Sequence, residues 1–132
     1  MPVPFYLPKS KNYLKKTKAN QDGKRGEFLA LFFLRLKGYR CLAQNYKTPV
    51  GEIDLVMRKG KTLIFVEVKT RPSLNEALEA LRQAQQKRIL KTALWFMKEF
   101  KAYTNYDMRF DFIGIAPSSW PKHIQNAWGA NK

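Results

Sequence analysis

One stretch, Gly51 to Arg71 (GEIDLVMRKGKTLIFVEVKTR), constrains the fold of this chain more than any other. In its first half Glu52, Asp54 and Val56 alternate with Ile53, Leu55 and Met57 across an extended strand. The second half is β-branched and aromatic, with Leu63, Phe65, Glu67 and Lys69 on one face and Ile64, Val66 and Val68 on the other. Arg58-Lys59-Gly60-Lys61 lies between them as a polar turn, so the stretch reads as a β-hairpin.

Register then decides the chemistry, because a one-residue slip turns every side chain to the opposite face. An even loop, either Lys59-Gly60 or all four residues from Arg58 to Lys61, sets Asp54 opposite Phe65 and Glu52 opposite Glu67. Lys69 continues that face. A three-residue loop would separate Asp54 from Glu67.

With the even loop, carboxylates and one ammonium gather on a patch otherwise made of apolar strand residues. Such a set suits a hard divalent cation, Mg²⁺ or Mn²⁺, which takes oxygen ligands and is commonly held by one or two carboxylates plus substrate phosphates. A Lys beside it can orient an attacking water or stabilise charge on a phosphate. The same spacing also arises where two amphipathic strands merely turn polar faces to solvent.

GEIDLV followed by FVEVKTR resembles the paired motifs of the YraN family of uncharacterised bacterial proteins. That family is similar to archaeal Holliday junction resolvases and to the wider PD-(D/E)xK nucleases with the restriction-endonuclease-like fold. The resemblance takes in Gly26-Glu27 and LKGYR upstream, and Gln86-Lys87-Arg88, Arg109-Phe110-Asp111 and HIQNAW downstream, over roughly residues 24 to 128. It implies metal ligation by Asp54 and Glu67 with the Val68 carbonyl as a third ligand, catalysis by Lys69, and an outer contact from Glu27. For Glu27 the residues alone leave another role open, since a carboxylate in the first turn of a helix favours the helix dipole.

Net charge is +15, from 25 Lys and Arg against 10 acids, which makes a polyanion the default partner. Glu27, Glu52, Asp54 and Glu67 are four of those ten acids, so a basic surface would surround an acidic pocket. One cysteine excludes an internal disulfide, and a single His excludes a zinc constellation. Cys41 reads as a small apolar residue at the start of a strand. The longest apolar run, Phe28 to Leu34, is too short to span a bilayer, and no apolar signal region is seen at the N-terminus, so a cytoplasmic protein without a membrane partner is expected.

Residues 1–25 carry seven basic residues and one Asp. They read as a mobile basic arm, with a short helix from Asn12 to Lys18, whose Lys9, Lys11, Lys15, Lys16 and Lys18 would grip phosphates without reading sequence. Residues 26–132 form the α/β domain. Within it, Glu27 to Lys37 is apolar almost all round and is expected to be a buried helix stopped by Gly38, followed by a strand from Tyr39 to Tyr46.

Pro72 and Ser73 open a helical region through Phe100 that is either one bent helix or two. Gln86, Lys87 and Arg88 cluster polar groups where a helix must pass the sheet, so Gln86 is expected near the attacking water or the scissile phosphate, with Lys87 and Arg88 on the nucleic acid. Tyr106 to Ile115 reads as a strand in which Asp111 makes a structural hydrogen bond. HIQNAW reads as a short last strand with His123 a surface or packing residue. Trp120 and Trp128 could stack on bases, although packing at the sheet edge accounts for them too.

The expected fold is α/β, a single domain with a central mixed β-sheet flanked by helices, restriction-endonuclease-like. The expected function is metal-dependent hydrolysis of DNA phosphodiesters, with branched DNA as a candidate substrate, which would call for a homodimer. Two other classes compete: a nucleic-acid-binding protein that keeps the pocket without turnover, and a structural partner in a larger assembly.

Overall fold

A computed structural model describes residues 18–128, with side chains from Gly23 onward. Lys9, Lys11, Lys15 and Lys16 of the basic arm, the Lys18 side chain and most of the short helix expected from Asn12 lie outside the described residues.

The described chain runs α1 (Lys18–Leu36), β1 (Arg40–Thr48), β2 (Gly51–Lys59), β3 (Thr62–Thr70), α2 (Leu74–Arg82), α3 (Gln86–Glu99), β4 (Asp107–Ile115) and β5 (Lys122–Trp128). The five strands form one sheet in the order β1-β2-β3-β4-β5. Only β3 and β4 pair in parallel, across the α2–α3 connection, and the other neighbours are antiparallel. This is the expected single-domain α/β architecture with a mixed sheet between helices, consistent with a nuclease-like fold.

The β2–β3 loop is Gly60-Lys61, an even loop as expected but placed one residue later than either version considered. Gly60 adopts φ 60° at the first central position, which a type II′ turn reserves for glycine. The register therefore runs from Lys59↔Thr62 to Leu55↔Val66. Continued by one pair, it sets Asp54 against Glu67 and not against Phe65. The slip is two residues, so the paired residues 55–59 keep their faces, but Ile53, expected beside Leu55 and Met57, lies in the opposite core.

Each side of the sheet has its own core. On one side Phe65, Phe110 and Phe112 of the sheet pack with Ile89, Ala93 and Phe96 of α3. On the other, Ile64, Val66, Val68 and Ile113 pack against Ala30, Leu31 and Leu34 of α1. Leu63 and Phe65 lie in the first core and Ile64 and Val66 in the second, as the alternation in β3 requires.

Helix α1 departs from expectation in two ways. It begins at Lys18, nine residues before Glu27, so part of the proposed arm is helical. Gly23 and Gly26 weaken the local helix signal there, but Gly26 lets α1 approach β3 so closely that an added Cβ would lie 1.8 Å from Thr70 Oγ1. Nor is α1 buried all round: Phe28, Leu29, Phe32 and Leu36 face outward. The region after Ser73 is two helices. Ser73 Oγ caps α2 by accepting from the Glu76 backbone N–H at 3.2 Å while donating to Glu76 Oε2 at 2.9 Å.

Candidate active site

Asp54 lies where β2 and β3 part. Past Leu55↔Val66, the Val68 backbone N–H donates to Asp54 Oδ2 at 2.7 Å. On the adjoining strand Asn45 takes φ 50°, a left-handed turn inside β1 that interrupts its alternation. Across this kink Ile53 joins the α3-side core while Leu55 joins the α1-side core.

Glu67 and Lys69 follow from β3, with Lys69 Nζ 3.2 Å from Glu67 Oε2. Both line, with Glu52 and Asp54, a cavity of about 610 Å³ between the sheet and the α2–α3 turn. Its basic wall is Lys47, Lys69, Arg71 and Arg88. Gln83 and Gln85 reach it from the turn, whereas Gln86 and Lys87 are exposed and not among its lining residues. Arg88 is thus the member of the Gln86-Lys87-Arg88 cluster that the helix turns toward the carboxylates.

Glu27 joins the same charged group from the first core-facing turn of α1. Burial pushes its carboxyl above the usual range, and Glu52 and Glu67 add to the rise, while Lys24 and a hydrogen bond from the Asn45 side chain oppose it. Asp54 is raised further. Burial is the main cause and Glu67 and Glu27 reinforce it, against the Val68 N–H and Lys69. Asp54 and Glu27 are thus held where neighbouring carboxylates disfavour their charge, a condition that a bound cation would relieve.

The donor set is all oxygen, which fits Mg²⁺ or Mn²⁺ better than zinc. Among the described residues no three His, Cys, Asp or Glu side chains form a ready metal cage. The fit is therefore to a cation held by two carboxylates, with water and substrate supplying the rest.

The profile of a family described as "Uncharacterised protein family UPF0102", the YraN family, matches residues 26–115. The chain belongs to that family. A UPF0102 protein of Chelativorans sp. (strain BNC1) is 46% identical over 118 residues, covering 89% of this chain and 94% of its own length. Another, from Parvibaculum lavamentivorans, is 46% identical over 106 residues, or 80% of each chain. A third, from Mesorhizobium japonicum, is 44% identical over 113 residues, covering 86% of this chain and 90% of its own. The matched span holds Glu27, Asp54, Glu67 and Lys69 and ends with β4, before His123.

Asp111 belongs elsewhere. It is fully buried and accepts from Arg109 Nε at 2.9 Å and Nη2 at 2.8 Å, and from the Asn126 N–H at 3.0 Å. His123 Nε2 is 2.8 Å from Asp111 Oδ2, and Lys37 Nζ is 2.7 Å from His123 Nδ1. An ammonium only donates, so Nδ1 accepts and Nε2 carries the proton to Asp111. The His123 ring packs edge-on against Phe33 and Tyr39. Asp111 makes the structural hydrogen bonds expected of it, and His123 is a packing residue.

Sequence reasoning missed Lys47, Arg71, Gln83, Gln85 and Asn45. Lys47 shortly precedes the first motif and Arg71 ends the second, and that position was the available signal. Trp128 is buried with its ring edge-on to Phe112, whereas Trp120 is exposed. Among the described residues no helix is long and apolar enough to cross a membrane.

Proposed function

We propose that this protein is a metal-dependent endonuclease acting on DNA phosphodiester bonds. One observation carries the reading: Asp54, Glu67 and Lys69 line one open cavity beneath a basic wall of Lys47, Arg71 and Arg88. A phosphate chain is the ligand that such a wall attracts, and the acidic floor repels it unless a cation lies between.

In this reading Asp54, Glu67 and the Val68 carbonyl would hold Mg²⁺ or Mn²⁺, which when bound supplies Lewis-acid stabilisation of the phosphorane charge and acidifies water. Lys69 would orient the attacking water and, as an ammonium, stabilise charge on the phosphate, while the water's proton passes to solvent. Its pairing with Glu67 keeps the ammonium beside the reacting phosphate. Glu27 would hold water at the rim of the carboxylate group, and Arg88 and Arg71 would bind the flanking phosphates. Gln86 and Lys87, on the outer start of α3, would meet the nucleic acid beyond the cavity. The lysines of residues 1–18 would add sequence-independent affinity.

The test is a cleavage screen of the full chain on branched, duplex and single-stranded DNA and on RNA, with Mg²⁺ or Mn²⁺ against chelator. Metal-dependent cutting of at least one DNA supports the reading. Tight DNA binding without turnover on any substrate replaces it with a binding protein that retains the pocket.

A further inference from the structure

On the outer side of α1, Phe28, Leu29, Phe32 and Leu36 are 68%, 50%, 56% and 73% exposed. At 100° per residue they occupy one face about a quarter of the helix circumference wide. Large side chains on a surface helix are normally turned inward, and here Ala30, Leu31 and Leu34 already fill that inward face. The outer stripe therefore needs a different partner.

We infer that this stripe is the contact between two copies of the chain, with α1 packed antiparallel on α1 of the second copy about a two-fold axis at Phe32. The four side chains offer on the order of 400 Å², comparable to the largest single apolar patch of a typical monomer. That is about half of one side of a standard interface, which points to a weak dimer completed by its rim. The stripe is also self-complementary. Phe28 and Leu36 lie four residues either side of Phe32, so a two-fold at Phe32 sets Phe28 of each copy against Leu36 of the other, as an isologous contact requires.

The charge around the stripe distinguishes this occupant from others. Arg25 and Arg35 are exposed on α1, so two copies bring like charges together at the rim. Pairing should then strengthen as salt rises, whereas an acidic protein partner would bind less tightly in salt. The cavity lies between the sheet and the α2–α3 turn, across the sheet from α1, so both cavities stay open in the dimer. Two sites related by a two-fold would cut two strands of one substrate; that consequence rests on the nuclease reading, and the pairing does not.

The experiment uses the full chain without DNA or metal. Sedimentation over a wide concentration range should give a monomer–dimer equilibrium that tightens with salt, and Phe32→Asp should weaken it by about a hundredfold because the change enters twice at the axis. In a Cys41→Ser background, Phe32→Cys should cross-link to itself under mild oxidation faster than Leu94→Cys, an exposed control on α3. Phe28→Cys should cross-link to Leu36→Cys in a mixture and poorly to itself. A monomer at every concentration, a dimer unaffected by Phe32→Asp, or preferred self-linking of Phe28→Cys would overturn the proposal, whatever the cleavage screen returns.

Discussion

Asp111 and Asp54 are both carboxylates drawn out of water by one sheet, and they differ in what meets them. Burial would raise Asp111, but hydrogen bonds from His123, Arg109 and the Asn126 N–H outweigh it and hold its pKa below the usual value. Asp54 has one backbone N–H and a neighbouring ammonium, set against burial and two other carboxylates, and its pKa is driven up. The first region is complete without a ligand. In the second, Asp54 has too few donors to hold its charge, and that imbalance marks the candidate site. Helix α1 joins them, carrying Glu27 to one and Phe33, with Lys37 just past its end, to the other.

The largest effect is expected at Asp111. Asp111→Ala should destabilise the protein by about 3 kcal/mol, because Arg109 and His123 lose a buried partner. Since the folded pKa is depressed, the stability from Asp111 is complete above its unfolded value of about 3.9 and is lost as pH falls through the folded value. The wild type should lose its advantage over the variant only in that acid window. Denaturant melts from neutral pH downward measure it, and an advantage independent of pH would remove Asp111's charge from the account.

Gly26→Ala tests the helix that links the regions. Its Cβ would meet Thr70 Oγ1, so a cost of about 2 kcal/mol is expected from overpacking. Among the described residues Thr70 Oγ1 is buried without a hydrogen-bond partner, so Thr70→Ala should restore much of the loss. Equal stability of Gly26→Ala and wild type would show that α1 does not sit on β3 as described.

Asp54→Asn should act in the opposite direction from Asp111→Ala. Neutralising it relieves repulsion from Glu67 and Glu27 and should stabilise the metal-free protein by about 1 kcal/mol near neutral pH, or several degrees in Tm. Because the folded pKa is raised, the stability that protonated Asp54 supplies is present below about pH 4 and lost as pH rises through the folded value. The variant's gain should therefore fade toward acid. Millimolar Mg²⁺ or Mn²⁺ should raise the Tm of the wild type and scarcely that of the variant. A destabilised Asp54→Asn with an undiminished metal response would make Asp54 a structural residue like Asp111.

The contrast also separates what the sequence displayed from what it hid. Face assignments in β3 were legible because a period of two is local, so Glu67 and Lys69 share a side whatever the loop, and any even loop brings Asp54 to it. The two-residue register slip was hidden for the same reason, since it leaves the pattern unchanged. The left-handed Asn45 that redirects β1 beside Asp54 left no periodic trace. The apolar wrap of α1 suggested full burial, but only tertiary packing decides which of two apolar faces meets the sheet. His123, Arg109 and Asp111 converge from two strands, and no spacing shows that.

The most direct measurement is single-turnover cleavage by wild type, Asp54→Asn, Glu67→Gln and Lys69→Ala on whichever DNA the screen selects, with DNA affinity measured in chelator. The account predicts metal-dependent cleavage by the wild type, its loss in all three variants, and affinity unchanged or improved in Asp54→Asn and Glu67→Gln, which remove repulsive charge and no phosphate contact. Cleavage by Asp54→Asn or Glu67→Gln at the wild-type rate would contradict it.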